Sequence, residues 1–114
     1  MLKCIAIDDE PLALRQITGY ISKIPYLELS ATFNNAIDAQ QRLTEEPADL
    51  IFADINMPDL NGVDFVRALP DRPMVIFTTA YSEYAVEGFK LDAVDYLLKP
   101  FSFADFSRSA AKAN

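Results

Sequence analysis

The side chains best suited to metal and phosphoryl chemistry fall at the ends of apolar runs. Asp8 and Asp9 follow Cys4-Ile5-Ala6-Ile7, Asp54 follows Leu50-Ile51-Phe52-Ala53, Thr78 and Thr79 close Val75-Ile76-Phe77, and Lys99 follows Leu97-Leu98. If Asp8, Asp9 and Asp54 are brought within ~4 Å of one another, each pair repels by about 4 kcal/mol at an effective dielectric of roughly 20. A cation, or protonation of one carboxylate, relieves that repulsion. The donors are all oxygen and the chain has no histidine, so the ion that suits them is hard, and Mg²⁺ fits a small open site that keeps waters and takes a phosphate oxygen. Beside such an ion an aspartate can attack phosphorus in line and become an acyl phosphate. Asp54, held at a strand end and followed by a loop, is the candidate nucleophile. Lys99 offers a positive charge and Thr79 a hydroxyl for the phosphoryl oxygens, and the small Ala80 leaves room for a donor.

Taken singly, each feature has a plainer explanation. Asp8-Asp9 reads as a helix cap, Thr78-Thr79 as β-formers, Lys99-Pro100 as a turn and Asn61-Gly62 as a loop entering a helix. Their joint position at successive strand ends is what points to a site.

The elements that must position them follow a βα alternation, the pattern of a mainly parallel sheet. Strands are expected over Lys3 to Ile7, Leu27 to Phe33, Leu50 to Ala53, Pro73 to Thr79 and Ala93 to Leu98. The first, third and fourth are nearly all apolar, as strands covered on both faces should be. Helical stripes join Leu14, Ile17, Ile21 and Ile24, then Ala36, Ala39 and Leu43, then Val63, Val66 and Leu69. A fourth helix is expected over about Ser82 to Leu91 and a fifth over about Phe103 to Lys112, with Phe103, Phe106 and Ala110 on one face. Asp9-Glu10-Pro11 predicts an acidic N-cap and a proline start for the first helix. In an open parallel sheet the carboxyl ends of the strands share one rim, and ligands bind where the winding reverses. Strand order is not readable from periodicity.

The 114 residues, 51% of them apolar or aromatic, suffice for one domain with its own core. A net charge of −7 argues against direct contact with nucleic-acid backbones or anionic membranes. No run reaches the ~18 apolar residues of a membrane span and no signal peptide is apparent, so the chain is expected to be cytoplasmic, with no membrane partner. Cys4, the single cysteine, reads as a small buried hydrophobe.

With these residues in view, the sequence resembles the response regulator receiver family over essentially its whole length. The resemblance rests on Ile7-Asp8-Asp9-Glu10-Pro11, on Asp54-Ile55-Asn56-Met57-Pro58-Asp59-Leu60-Asn61-Gly62, on Thr79-Ala80 and on Tyr96-Leu97-Leu98-Lys99-Pro100-Phe101. It implies an α/β, flavodoxin-like, doubly wound (βα)5 fold with strand order 2-1-3-4-5. It implies Mg²⁺ held by Asp9, Asp54 and the backbone carbonyl of Asn56, with Asp8 acting mainly through water. Asp54 then accepts a phosphoryl group from the phosphohistidine of a sensor histidine kinase and later loses it, so the chain is a signalling module and not an enzyme with a separate substrate. The phosphoryl group draws in Thr79 and Lys99, and Tyr96 rotates, remodelling the surface of the fourth helix, fifth strand and fifth helix. The peptide before Pro100 is expected to be cis.

The stretches Phe77-Thr78-Thr79-Ala80-Tyr81-Ser82-Glu83-Tyr84-Ala85 and Asp95 to Phe101 resemble receivers that precede a LytTR-type DNA-binding domain. On that footing residues 1–114 are the receiver part of a longer regulator, dimerising on activation and reaching DNA only through an output domain absent from this chain. Tyr84, Phe89 and Phe106 are candidates for a dimer face, although core packing accounts for each equally well. Asn56 and Tyr81 flank the site where phosphoryl lifetime is tuned.

Other readings share parts of this pattern. A Mg²⁺-dependent phosphatase usually has a second aspartate two residues after its nucleophile, where this chain has Asn56. A flavin module of the same fold needs a hydroxyl- and glycine-rich phosphate loop, and Asp8-Asp9-Glu10 would repel the phosphate. A receiver-like docking module that works without phosphorylation is the strongest rival.

Overall fold

The computed structural model describes residues 1–57, 62–69, 73–80 and 93–114. Five strands form one sheet: β1 (Leu2–Ile7), β2 (Leu27–Phe33), β3 (Leu50–Asp54), β4 (Met74–Thr79) and β5 (Asp95–Leu98). All neighbours run parallel, in the order β2-β1-β3-β4-β5. Between and after them lie α1 (Pro11–Ser22), α2 (Ala36–Glu45), α3 (Gly62–Arg67) and α4 (Phe103–Ala113). The helix expected over about Ser82 to Leu91 lies outside the described residues, so α4 denotes the C-terminal helix.

Two apolar layers clamp the sheet. On one face Ile17 and Ile21 of α1 and Phe106 and Ala110 of α4 pack on Cys4, Phe52, Ile76 and Leu97. On the other, Ala36, Ala39 and Leu43 of α2 and Phe65 of α3 pack on Ile5, Ile51, Val75 and Phe77. Alternate residues of β1, β3 and β4 feed opposite layers, which is why these strands carry apolar residues at nearly every position. Winding reverses between β1 and β3, and the carboxyl ends of these two strands carry Asp8 and Asp54.

Local chemistry sets the helix starts. Asn35 caps α2 by accepting from the Asp38 N–H at 2.8 Å. Ser102 and Asp105 form a reciprocal capping box on α4, aiming the chain straight after the Lys99-Pro100 turn. The peptide between Lys99 and Pro100 is cis. At α1 an acidic residue stands at the cap and a proline follows it, as expected, but the cap hydrogen bond is not made. Glu10 occupies the cap position, while Asp8 Oδ1 accepts from the Glu10 N–H at 2.9 Å and Pro11 opens the helix. Other differences lie at edges. β5 begins at Asp95 instead of Ala93, β3 includes Asp54, and Ile24 and Leu69 are buried just beyond the helices whose stripes they continue. The expected stripe of α3 omitted Phe65, which is fully buried.

Of the candidate dimer-face aromatics, Phe106 belongs to the core: it has no exposed surface and stacks on Phe52 with ring centroids 4.9 Å apart. Tyr84 and Phe89 lie outside the described residues. No helix among the described residues is long and apolar enough to cross a membrane.

Candidate functional site

The rim at the carboxyl ends of β1, β3, β4 and β5 gathers most of the expected residues. Asp8 is fully buried and Asp54 is 4% exposed. Lys99 bridges them, its Nζ lying 2.9 Å from Asp8 Oδ2 and 3.5 Å from Asp54 Oδ2. The same ammonium stands 3.5 Å from Glu10 Oε1. Lys99 is held at that rim by its backbone, whose N–H donates to the Thr79 carbonyl at 2.6 Å. Asp54 Oδ1 accepts from the Asn56 N–H at 3.2 Å, which fixes the carboxylate and leaves Oδ2 toward the lysine.

Carboxylate oxygens of Asp8, Glu10 and Asp54 all lie within 4.8 Å of one another. Glu10 was not foreseen as a member of this group. A signal for it existed: continuing the two-residue alternation of β1 past Ile7 sends Asp8 and Glu10 to one side and Asp9 to the other. Asp9, expected as a direct ligand, is exposed and stands outside the trio, although its charge still acts on Asp54. Asn56 is exposed and joins the site through its backbone.

Burial, followed by the negative charge of Asp8, pushes the Asp54 carboxyl up from 3.8 to about 6, against the opposing pull of Lys99 and the Asn56 N–H. Burial alone would lower the Lys99 ammonium, but its hydrogen bond to Asp8 and the charges of Asp54, Asp8 and Glu10 outweigh that and raise it. Lys99 therefore stays charged, and among the described residues its one ammonium serves three carboxylates, which leaves them with uncompensated negative charge.

Thr79 is fully buried at the end of β4, opposite Leu98. Tyr96, half-buried on β5, packs its ring on Phe77 with centroids 5.4 Å apart, on the sheet face that Thr79 shares. At the far end of β5, Ser109 of α4 donates to Asp95, and Lys112 lies 3.2 Å from the same oxygen, tying α4 to the strand. Beside the carboxylates a cavity of about 590 Å³ is bordered by Glu10, Leu12, Gln16, Ala80, Lys99 and Pro100. Expectations at Pro58 to Asn61 and at Tyr81 fall outside the described residues. Among the described residues the arrangement offers a buried carboxylate with one oxygen toward the Lys99 ammonium, more acid than that lysine can neutralise, and open space beside Glu10 and Lys99.

Comparison with known proteins gives a consistent result. The family model described as "Response regulator receiver domain" matches residues 4–111. The chain is 33% identical over 114 residues to the sensory transduction protein LytR of Staphylococcus haemolyticus, covering 97% of this chain and 44% of that protein. It is 37% identical over 103 residues to the transcriptional regulatory protein YpdB of Escherichia coli K12, covering 88% of this chain and 42% of YpdB. Among solved structures, the response regulatory domain of protein mrkE from Klebsiella pneumoniae superposes with a TM-score of 0.89 at 33% identity, covering 98% of this chain and 94% of that one. The chain thus spans less than half the length of these curated relatives.

Proposed function

The chain belongs to the response regulator receiver domain family, and on that premise we propose that Asp54 is its phosphoacceptor, taking a phosphoryl group from the phosphohistidine of a sensor kinase. In that step Asp54 Oδ2 forms the new P–O bond as the P–N bond breaks, and the departing imidazole keeps the bonding pair. The observation that carries the reading is the Lys99 ammonium, joined to buried Asp8 and Asp54 at 2.9 and 3.5 Å at the winding switch point. The Asn56 N–H orients the carboxylate through Oδ1. Lys99 is poised to follow the charge from the carboxylate to the phosphoryl oxygens.

The donor set suits Mg²⁺: oxygens only, three carboxylates within 4.8 Å and one ammonium among them. Family resemblance makes Asp9, Asp54 and the Asn56 carbonyl, with Asp8 through water, the proposed ligands, although Asp9 stands outside the Asp8, Glu10 and Asp54 trio; Glu10 adds negative charge at the mouth. When bound, Mg²⁺ neutralises phosphoryl oxygens. Thr79 and Tyr96, sharing one face across β4 and β5, then carry the change to the β5 and α4 surface. That surface supports homodimer formation, and transcription control through a separate DNA-binding domain, in a cytoplasmic two-component pathway.

Intact mass after incubation with Mg²⁺ and acetyl phosphate tests this reading. The expected result is one acid-labile phosphoryl group, absent in Asp54→Asn and absent when Mg²⁺ is chelated. A folded protein that takes no label from any donor is instead a docking module of the same fold.

A further inference from the structure

Thr78 stands inside this site without a role in the chemistry above. It is fully buried at the end of β4, and among the described residues its hydroxyl has no hydrogen-bond partner. A buried hydroxyl without a partner is costly where a valine of the same shape is not. Ile76 and Leu97 pack in the layer under α1 and α4, and Phe77 packs in the opposite one. Strand alternation therefore turns Thr78 toward the α1 and α4 face, as it does Asp54, two residues past Phe52.

Register sets Thr78 opposite Asp54 on one side and Leu97 on the other, and parallel neighbours stand about 4.8 Å apart. Lys99 starts beside β4, donating its backbone N–H to Thr79, yet its ammonium reaches Asp54 on β3 and Asp8 after β1. Since β4 lies between β5 and β3, the lysine side chain crosses the end of β4 on the face that Thr78 shares.

We propose that Thr78 is a positioning residue for Lys99, its hydroxyl oxygen accepting a hydrogen bond from the ammonium once a phosphoryl group occupies Asp54. This rests on Asp54 being the phosphoacceptor. In the resting site the ammonium is shared among Asp8, Glu10 and Asp54 Oδ2. Phosphorylation makes that last oxygen the bridging oxygen of an acyl phosphate, a poor acceptor, and draws the ammonium toward the phosphoryl oxygens and away from Asp8. An ammonium has three donors and no acceptor, and the hydroxyl along its path takes the hydrogen that Asp8 gives up.

The test measures affinity for beryllofluoride, a phosphoryl mimic, with Mg²⁺, together with the urea unfolding midpoint, for the wild type, Thr78→Val and Thr78→Ser. Thr78→Val is expected to bind the mimic about tenfold more weakly, the scale of one charge-assisted hydrogen bond. Its unfolding midpoint should be unchanged or higher, and Thr78→Ser should bind within about twofold of the wild type, keeping the hydroxyl. Wild-type affinity in Thr78→Val overturns the inference, as does a loss that Thr78→Ser does not recover or that follows a drop in stability. If the wild type neither binds the mimic nor takes label from acetyl phosphate, the phosphoacceptor reading itself fails and the inference falls with it.

Discussion

Replacing Asp54 by asparagine removes a buried charge and keeps its shape, so the metal-free protein should become more stable. The folded-state carboxyl sits at about 6, up from 3.8, chiefly through burial and the charge of Asp8. Two pKa units correspond to about 3 kcal/mol, an upper estimate of what ionised Asp54 costs the fold. The native state holds the proton more tightly than the unfolded chain, so this part of the stability is complete below about pH 4, is lost as the pH rises to about 6, and stays lost above that. The asparagine side chain does not titrate, and its carbonyl oxygen can still accept from the Asn56 N–H. The gap between variant and wild type should therefore be close to zero at pH 4 and reach about 2–3 kcal/mol at pH 7.5, or roughly 8–12 °C in Tm for a domain of this size. Urea denaturation followed by circular dichroism, in chelator and at several pH values, measures it. Added Mg²⁺ should stabilise the wild type, by about 2.7 kcal/mol at a hundred times its Kd, and should do little for the variant, closing the gap. A variant no more stable than the wild type at pH 7.5, or a gap that ignores pH, would refute the reasoning.

Two further outcomes follow from the core. Phe106→Ala should lower stability by about 3–5 kcal/mol, because it empties a fully buried position stacked on Phe52; a loss under about 1 kcal/mol in urea denaturation would mean that Phe106 is not packed there. Cys4 is buried and its thiol is pushed up to about 12, mainly by burial, so a thiol reagent at pH 8 should label it only at the rate of unfolding. Labelling within seconds in native buffer would contradict the packing of β1.

The legible parts of this protein were the local ones. Alternation and apolar runs located all five strands to within two residues at either end, because strand burial depends on neighbours two apart in the chain. The carboxyl-end residues Asp8, Asp54, Thr79 and Lys99 followed from the same reading, since a residue closing a parallel strand must stand on the ligand-binding rim. The five-stranded order came from family resemblance alone, because periodicity carries no record of which strands pair.

What remained for the tertiary structure was decided by direction and distance. Three consecutive acids look alike in sequence, yet the turn into α1 buries Asp8, brings Glu10 toward Lys99 and leaves Asp9 exposed. Phe106 reads equally well as a dimer-face or a core residue until α4 is laid against Phe52. Lys99 is 45 residues after Asp54 and 91 after Asp8, and only the folding of β5 beside β4 turns those separations into contacts. Sequence by itself determined which chemical groups were available and at which strand ends they stood. Which carboxylates share the lysine, and which face of β4 the lysine crosses, depended on packing between segments far apart in the chain, where no local pattern constrains the outcome.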